Sequence, residues 1–579
     1  MIMNVCHRPL RQVLALGACA ALLAHGAMAG AADDRELADA NAEVLGAEVA
    51  LQGGDCAAAV RGYADALRRV ADAQLAGRAA SIALDCGLVE RAAAAVARWR
   101  AIAADDPDAL RAQVRVQIAR DQNDAAAHTL ATLLASPAVQ KSGTVAEIAS
   151  LAQLAGPAHV YPVLAITHSP ALEAADARLA LGELAMDAWH FKDAAAYATQ
   201  ALARGGTPAA AQELLARAAA GLGDADAALA AARAARAADP RAGAFAEVDT
   251  LELLGRDEEA RAGTETLRGE EATRNEAERR LGLFAFERAD YAEAQQRFAA
   301  LLRDPQSAPL AIYYLAAIAE RRGDRSVALR GYALLGGTAL EGPARRRAAR
   351  LLLAAGEREE ALGLIAENAG SGIAARVAAE LASAELLMDG GASADALKQI
   401  EATRRRFPEH PEVAYQRAIL LERAGDTAEA IRALEAQHRA HPRDATLGNA
   451  LGFILADHRR DLARAEKLIR VALDAEPDNP AILDSLGWVT YRGGQPAAAL
   501  PLLERAWRLY HDGDIAAHYG EVSWASGAPE QARAIWKRAL AADPDNATLR
   551  DTVKAHLPEL VPPPAPQAPV LDPTTGTPI

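Results

Sequence analysis

The sequence predicts an all-α fold, a right-handed superhelical solenoid of about 15 helical hairpins. Three observations lead there. At 579 residues the chain is too long for one hydrophobic core, so it must divide into domains or extend as an array. Hydrophobic residues make up 51% of it but aromatics only 4%. With alanine dominant, that means small buried side chains, closely approaching backbones and strong helix formation. Finally, a turn signal returns at intervals of about 34 residues along nearly the whole chain.

The clearest units lie near the C-terminus. ILDSLGWVTYRGGQPAAALPLLERAW places Leu486-Gly487 seven residues before Gly494, followed by Ala499, Leu503 and Ala506. HYGEVSWASGAPEQARAIWKRALAADP repeats the plan with Tyr519-Gly520, Gly527, Ala532, Trp536, Ala539 and Pro544. Both match the tetratricopeptide (TPR) pattern, in which small residues let helices A and B approach, Gly permits the turn between them, and Pro ends helix B. Carried back along the chain, the turn falls at Gly54, Gly87, Asn123, Gly156, Trp189, Gly223, Gly255, Ala289, Gly323, Gly356, Gly391, Gly425, Arg459, Gly494 and Gly527. Ala59, Ala228, Ala294, Ala328, Ala361, Ala396 and Ala430 each stand five residues past a turn, where helix B must pack on helix A. Pro240, Pro408, Pro442 and Pro477 add stops at repeat ends.

Residues 1–29 read as an export signal: His7, Arg8 and Arg11 precede an apolar stretch from Val13 to Ala24, and Ala27-Met28-Ala29 is a small-residue cleavage site. Cleavage after Ala29 is the expectation. The competing reading is a lipoprotein signal, in which Leu16-Gly17-Ala18-Cys19 makes Cys19 the lipidated first residue; the apolar run continuing through Leu22 and Leu23 argues against it. Either way the chain is expected in the periplasm, soluble or anchored to the outer membrane. Residues 30–40 form a linker, 41–556 the TPR-like array, and the proline-rich 557–579 a solvated tail. Cys56 and Cys86 fall at the turn ends of adjacent hairpins, so a disulfide is geometrically open to them; the plainer expectation is two small buried hydrophobes. Between Asn123 and Trp189 the turn signals are poor and AQLAGPAHVYPVLAITHSP carries prolines inside a second helix. An irregular hairpin is expected there, with a hinge or docking loop as its functional counterpart.

No Gly-rich phosphate loop, Cys-x-x-Cys pair, His-Glu-x-x-His or nucleophile elbow occurs, so catalysis is not expected and an enzyme with an unrecognised site is the remote alternative. His438 and His441 are a close pair without a carboxylate or cysteine beside them, so no metal site and no cofactor is expected. A net charge of −15 disfavours nucleic acid and anionic lipid. Basic runs such as Arg345 to Arg347 and Arg404 to Arg406 have acidic neighbours and read as solvated helix faces.

A stacked array offers an extended concave wall to other proteins. The groove-facing positions of such repeats, the second, fifth, ninth and twelfth, select Asn449, Phe453, Asp484, Trp488, Tyr491, Glu521 and Trp524. Trp and Tyr are favoured anchors because they bury much area at small entropic cost. The competing reading of Trp488 and Trp524 is that they only fill the interface between repeats. A chaperone-type carboxylate clamp, needing Lys and Asn at the fifth and ninth positions, is absent, since Asn449 with Phe453 and Asp484 with Trp488 stand there.

The segments NALGFILADHRRDLARAEKLIRVALDAEPDNPAILDSLGWVTYRGGQPAAALPLLERAW and HYGEVSWASGAPEQARAIWKRAL resemble the C-terminal half of long proteobacterial envelope TPR proteins, and GAEVALQGGDCAAAVRGYADALRRVADAQLAGRAASIAL resembles their first repeats. That family includes the outer-membrane lipoprotein adaptor of a periplasmic carboxyl-terminal processing protease. The resemblance implies a non-catalytic scaffold that binds such a protease and its peptidoglycan hydrolase substrates. No family motif marks the protease contact residue by residue. The rival scaffold reading is an assembly factor for an outer-membrane polysaccharide or pilus exporter.

Overall fold

A computed structural model describes residues 31–367 and 372–561. Among these, thirty-two α-helices and three short 3₁₀ turns account for the regular structure. The first five hairpins pair Ala31–Gln52 with Cys56–Arg69, Ala73–Asp85 with Val89–Ile102, Pro107–Ala119 with Asn123–Leu134, Thr144–Ala155 with Pro157–Ile166, and Ala175–Asp187 with Phe191–Ala203. Hairpins 6 to 10 pair Pro208–Leu222 with Ala225–Ala238, Ala246–Leu253 with Asp257–Arg268, Arg274–Glu287 with Tyr291–Leu301, Ala308–Arg321 with Arg325–Ala333, and Glu341–Ala354 with Arg358–Glu367. Hairpins 11 to 15 pair Ile373–Asp389 with Ser393–Arg406, Pro411–Arg423 with Thr427–Ala440, Ala445–Asp457 with Leu462–Ala475, Pro480–Arg492 with Pro496–Leu509, and Gly513–Ala525 with Pro529–Ala542. A last helix, Ala547–His556, packs on the end.

Fourteen of the fifteen expected turn residues have positive φ. The exception is the third hairpin, where Asp121 rather than Asn123 is left-handed and Asn123 begins helix B. All but one of the turns close in the same way, the exception being Gly156, which is followed by Pro157 and whose amide donates to Ala152 O (2.9 Å). At Gly323 the amide donates to Glu320 O (3.0 Å) and the next amide, Asp324 N, to Ala319 O (2.8 Å); Ala289 and Asp290 make the same pair of bonds to Phe286 and Ala285. This is the Schellman closure, which satisfies the carbonyls left over at a helix C-terminus. At Gly54, Ala289 and Gly425 the following Asp also caps helix B: Asp55, Asp290 and Asp426 accept from the amides of Ala58, Glu293 and Glu429. The alanines five residues past the turns are all fully buried.

Two boundaries differ from expectation. Residues 31–40, read as linker, are already part of the first helix, where Ala40 and Ala47 are buried. At the other end Leu557 is buried against the terminal helix, so the array holds the chain slightly beyond 556. The expected export signal with Cys19, and the residues beyond Val561, lie outside the described residues. No described helix is long and apolar enough to cross a membrane. The irregular segment is as expected: a short helix Pro137–Ser142 precedes hairpin 4, Pro162 sits inside its second helix, and a 3₁₀ turn Pro170–Glu173 follows.

The array also touches itself across a long sequence distance. The interhelix turns of the early hairpins rest on the loops between late ones. Asp478 Oδ2 accepts from Phe191 N (2.8 Å), and Asp478 N donates to Trp189 O (3.1 Å). Asp478 Oδ1 is held by Arg505. His441 lies 3.8 Å from Asp121, Arg538 2.8 Å from Asp257, and Arg321 donates to Ala542 O (3.0 Å). At the N-terminal end the contact is apolar. Tyr63, Ile82 and Cys86 share one core with Leu387, Phe407 and Val413, and a Cβ on Gly87 would stand 2.6 Å from His410 Cα. Successive superhelical turns are therefore in contact along a seam.

Two outcomes are expected. Ala289 is exposed and left-handed, so Ala289→Gly relieves strain without losing packing and should stabilise the array by about 1 kcal/mol, read from the denaturant midpoint. Asp478→Ala strands the buried Phe191 amide and Arg505; it should cost about 3 kcal/mol and speed hydrogen exchange at Phe191 while helicity by circular dichroism holds.

Candidate functional site

The last three hairpins carry the site residues read from the sequence, and the structure sorts them by depth. Asp484 and Trp488 are almost completely buried, at 5% and 4% exposure. Asn449, Phe453, Tyr491, Glu521 and Trp524 are half-buried. Phe453, Asp484, Trp488, Tyr491 and Glu521 make contacts that reach another hairpin, and Trp524 reaches the terminal helix. Trp488 stacks on His518 of the following repeat at 4.2 Å between ring centres, and its Nε1 donates to Asp457 Oδ1 of the preceding one at 3.0 Å. The Arg492 guanidinium lies 5.2 Å above the same indole and also donates to Asp457 O. Phe453 approaches His518 at 5.7 Å, and Tyr491 Oη donates to Glu521 Oε1 at 3.4 Å. Trp524 stacks on Trp536 at 6.0 Å and meets His556 of the terminal helix at 5.3 Å.

Trp488 thus ties three repeats together from beneath the surface, which is the packing role weighed against binding in the sequence. The aromatic surface open to a ligand is that of Phe453, Tyr491 and Trp524, bordered by Asn449 and Glu521.

His518 was not among the residues singled out, although it is central. It is buried, and its Nδ1 lies 2.8 Å from Asp484 Oδ2. Burial pushes the imidazole pKa down, but the Asp484 charge and hydrogen bond outweigh it, and the net shift is upward from 6.5. Burial also raises the Asp484 carboxyl, against the pull of His518. Asp484 Oδ1 and Asn449 Oδ1 are buried without a hydrogen-bond partner among the described residues. The sequence signal for His518 is weak: it stands two residues before Gly520 on a helix A, where a polar ring is visible as a partner only once Asp484 of the previous repeat is brought alongside.

His438 and His441 do not form a chelate pair, since His441 faces Asp121 at the seam. One triad of potential ligand atoms, Glu422, Asp457 and His458, lies within 4.8 Å. Its Asp457 carboxylate is already engaged by Trp488, and His458 Nε2 by Glu422 at 3.0 Å, so the chain's own groups occupy these positions.

Cys56 and Cys86 are bonded as a disulfide, Cα–Cα 5.9 Å, in place of the two free buried thiols expected. The physical reason is register. Cys56 opens helix B of hairpin 1 and Cys86 caps helix A of hairpin 2, so stacking brings the two turn ends within bridging range.

Residues 381–445 and 415–480 match one tetratricopeptide repeat family and residues 491–557 a second. The chain is similar to a TPR repeat-containing protein of Pseudomonas aeruginosa, 33% identical over 209 residues, which cover 36% of this chain and 35% of that relative's length. Among solved structures it is similar to a thermophilic TPR protein of Thermus thermophilus (20% identity, covering 31% of this chain and 97% of the other, TM-score 0.28). It is also similar to a tetratricopeptide repeat protein of Parabacteroides merdae (15%, 48% and 97%, TM-score 0.29) and to the APC/C Cut9-Hcn1 assembly (15%, 90% and 96%, TM-score 0.27).

The buried pair sets a pH test. His518, raised in the fold, contributes stability that is complete below the ordinary histidine value and is lost as pH rises through its folded pKa. Asp484→Asn removes the charge that offsets burial; the His518 pKa, followed by NMR, should then fall below 6.5.

Proposed function

We propose that this chain is a protein-binding scaffold of the bacterial envelope, an adaptor that brings a carboxyl-terminal processing protease together with cell-wall hydrolase substrates. Tetratricopeptide repeats indicate a protein-interaction scaffold, and the aromatic strip of Phe453, Tyr491 and Trp524 supplies anchors of the kind such surfaces use. The envelope setting is supported chiefly by the Cys56–Cys86 bridge, since structural disulfides persist in oxidising compartments. The export-like residues 1–29 point the same way. The adaptor role is supported by the resemblance of both ends of the array to envelope TPR proteins. A fifteen-hairpin array also has length enough to hold a protease and a substrate on separate surfaces, and tethering alone raises effective concentration enough to change proteolysis.

A pull-down from envelope extract with the mature chain as bait should recover a serine-type processing protease and peptidoglycan hydrolases. Recovery of polysaccharide or pilus exporter subunits without a protease would transfer the role to export assembly. In the same experiment the double variant Tyr491→Ala, Trp524→Ala should reduce capture at least about tenfold with helicity retained. Mass spectrometry of the mature N-terminus should find Gly30, whereas a lipidated Cys19 would mean anchoring and an intact Met1 would remove the envelope setting.

A further inference from the structure

The irregular stretch after hairpin 4 does more than interrupt the array. The 3₁₀ turn Pro170–Glu173 joins hairpin 4 to hairpin 5, and a cavity of about 570 Å³ opens beside it. That volume is in the range of ligand pockets. Its buried apolar wall includes Leu164, Leu172 and Leu181, and Arg178 and Tyr197 stand in the same lining.

Arg178 is a cation held against that wall. Its side chain is only 14% exposed and its guanidinium lies 5.5 Å from the centre of the Tyr197 ring. It spends one donor on Glu173, through Nη2, while its Nε is buried without a hydrogen-bond partner among the described residues. A guanidinium presents donors as a planar fork that suits both oxygens of one carboxylate. Glu173 uses that fork incompletely, because its second oxygen accepts from Arg204 at 2.7 Å. Glu173 is itself 54% exposed and sits on a single turn of 3₁₀ helix, so its hold on Arg178 is the part of the arrangement a ligand can replace.

We infer that this cavity binds the C-terminal residue of a polypeptide, Arg178 receiving the terminal carboxylate in exchange for Glu173 and the three leucines receiving an apolar last side chain. A ligand that engages both must carry a carboxylate and an apolar group together. An Asp or Glu side chain fails this, because its carboxylate ends a chain of only one or two methylenes with no branched apolar group beside it. A C-terminal Leu or Val satisfies it at one carbon, since the same Cα bears both groups. The lining also contains Thr167, His168 and Ser169, polar groups suited to the amides preceding that residue. The inference rests on the chain's being a protein-binding scaffold, but it uses a surface far in sequence from Phe453, Tyr491 and Trp524.

Fluorescence anisotropy on the mature chain tests it, with dye-labelled Ala-Ala-Ser-Leu-Leu as free acid and as C-terminal amide. The free acid should bind at least tenfold tighter than the amide. Arg178→Gln should erase that difference, and Glu173→Gln, which removes the internal competitor, should tighten the free acid several-fold; the second variant keeps the test sound should the first fail to fold by circular dichroism. Equal binding of acid and amide, no binding of either, or weakening by Glu173→Gln would overturn the inference. Arg178-dependent binding of laurate without binding of the peptide would overturn it in favour of a fatty acid. Because Tyr491→Ala, Trp524→Ala leaves this cavity untouched, peptide binding that survives in that double variant separates failure of the C-terminal strip from failure of the pocket.

Discussion

The close approach of the two helices within each hairpin is the constraint on which the larger structure depends. It is set by side chains that are nearly absent. The alanines five residues past the turns are wholly buried, and a Cβ on Gly520 would lie 2.0 Å from Trp536 Nε1. Such contacts leave little freedom in interaxial distance or angle. In a solenoid this matters cumulatively, because each hairpin is placed by the one before it and a small error in rotation multiplies along the stack.

The seam between superhelical turns exists only because those rotations are held. Phe191 and Asp478 are 287 residues apart, yet they share a buried 2.8 Å hydrogen bond. An open solenoid unfolds as a one-dimensional series in which ends fray independently. Here the ends of the early hairpins are tied to the late ones, by an apolar core near Phe407 and by polar contacts from Asp121 onward. The Cys56–Cys86 bridge reinforces the point of greatest need, since it fastens together the two N-terminal hairpins that contribute to that core.

The candidate binding surface and the packing beneath it are interleaved at the C-terminal hairpins. Trp488 and His518 lie one layer below Phe453 and Tyr491 and determine where those rings can sit. The buried His518–Asp484 pair is an odd choice for stability alone, because desolvating two charges costs nearly what their attraction returns. What it does supply is a directional link between adjacent repeats, which apolar contacts do not provide.

The hairpins were legible in the sequence because their determinants are local. A Gly, or at Trp189, Ala289 and Arg459 a residue forced to behave like one, marks the left-handed turn, and Asp at the next position starts the following helix. Periodicity then places the buried alanines. The candidate groove residues were half legible: the repeat register named Asp484 and Trp488 as groove positions, but register describes direction from a helix axis and cannot tell surface from the layer beneath it. Seam, His518 pairing and the cavity at Arg178 were decided by tertiary structure, as was the bonding of Cys56 to Cys86, which the register had only brought to adjacent turn ends. The seam depends on the summed rotations of the stack and the others on how one hairpin seats on the next, quantities that no window of sequence contains.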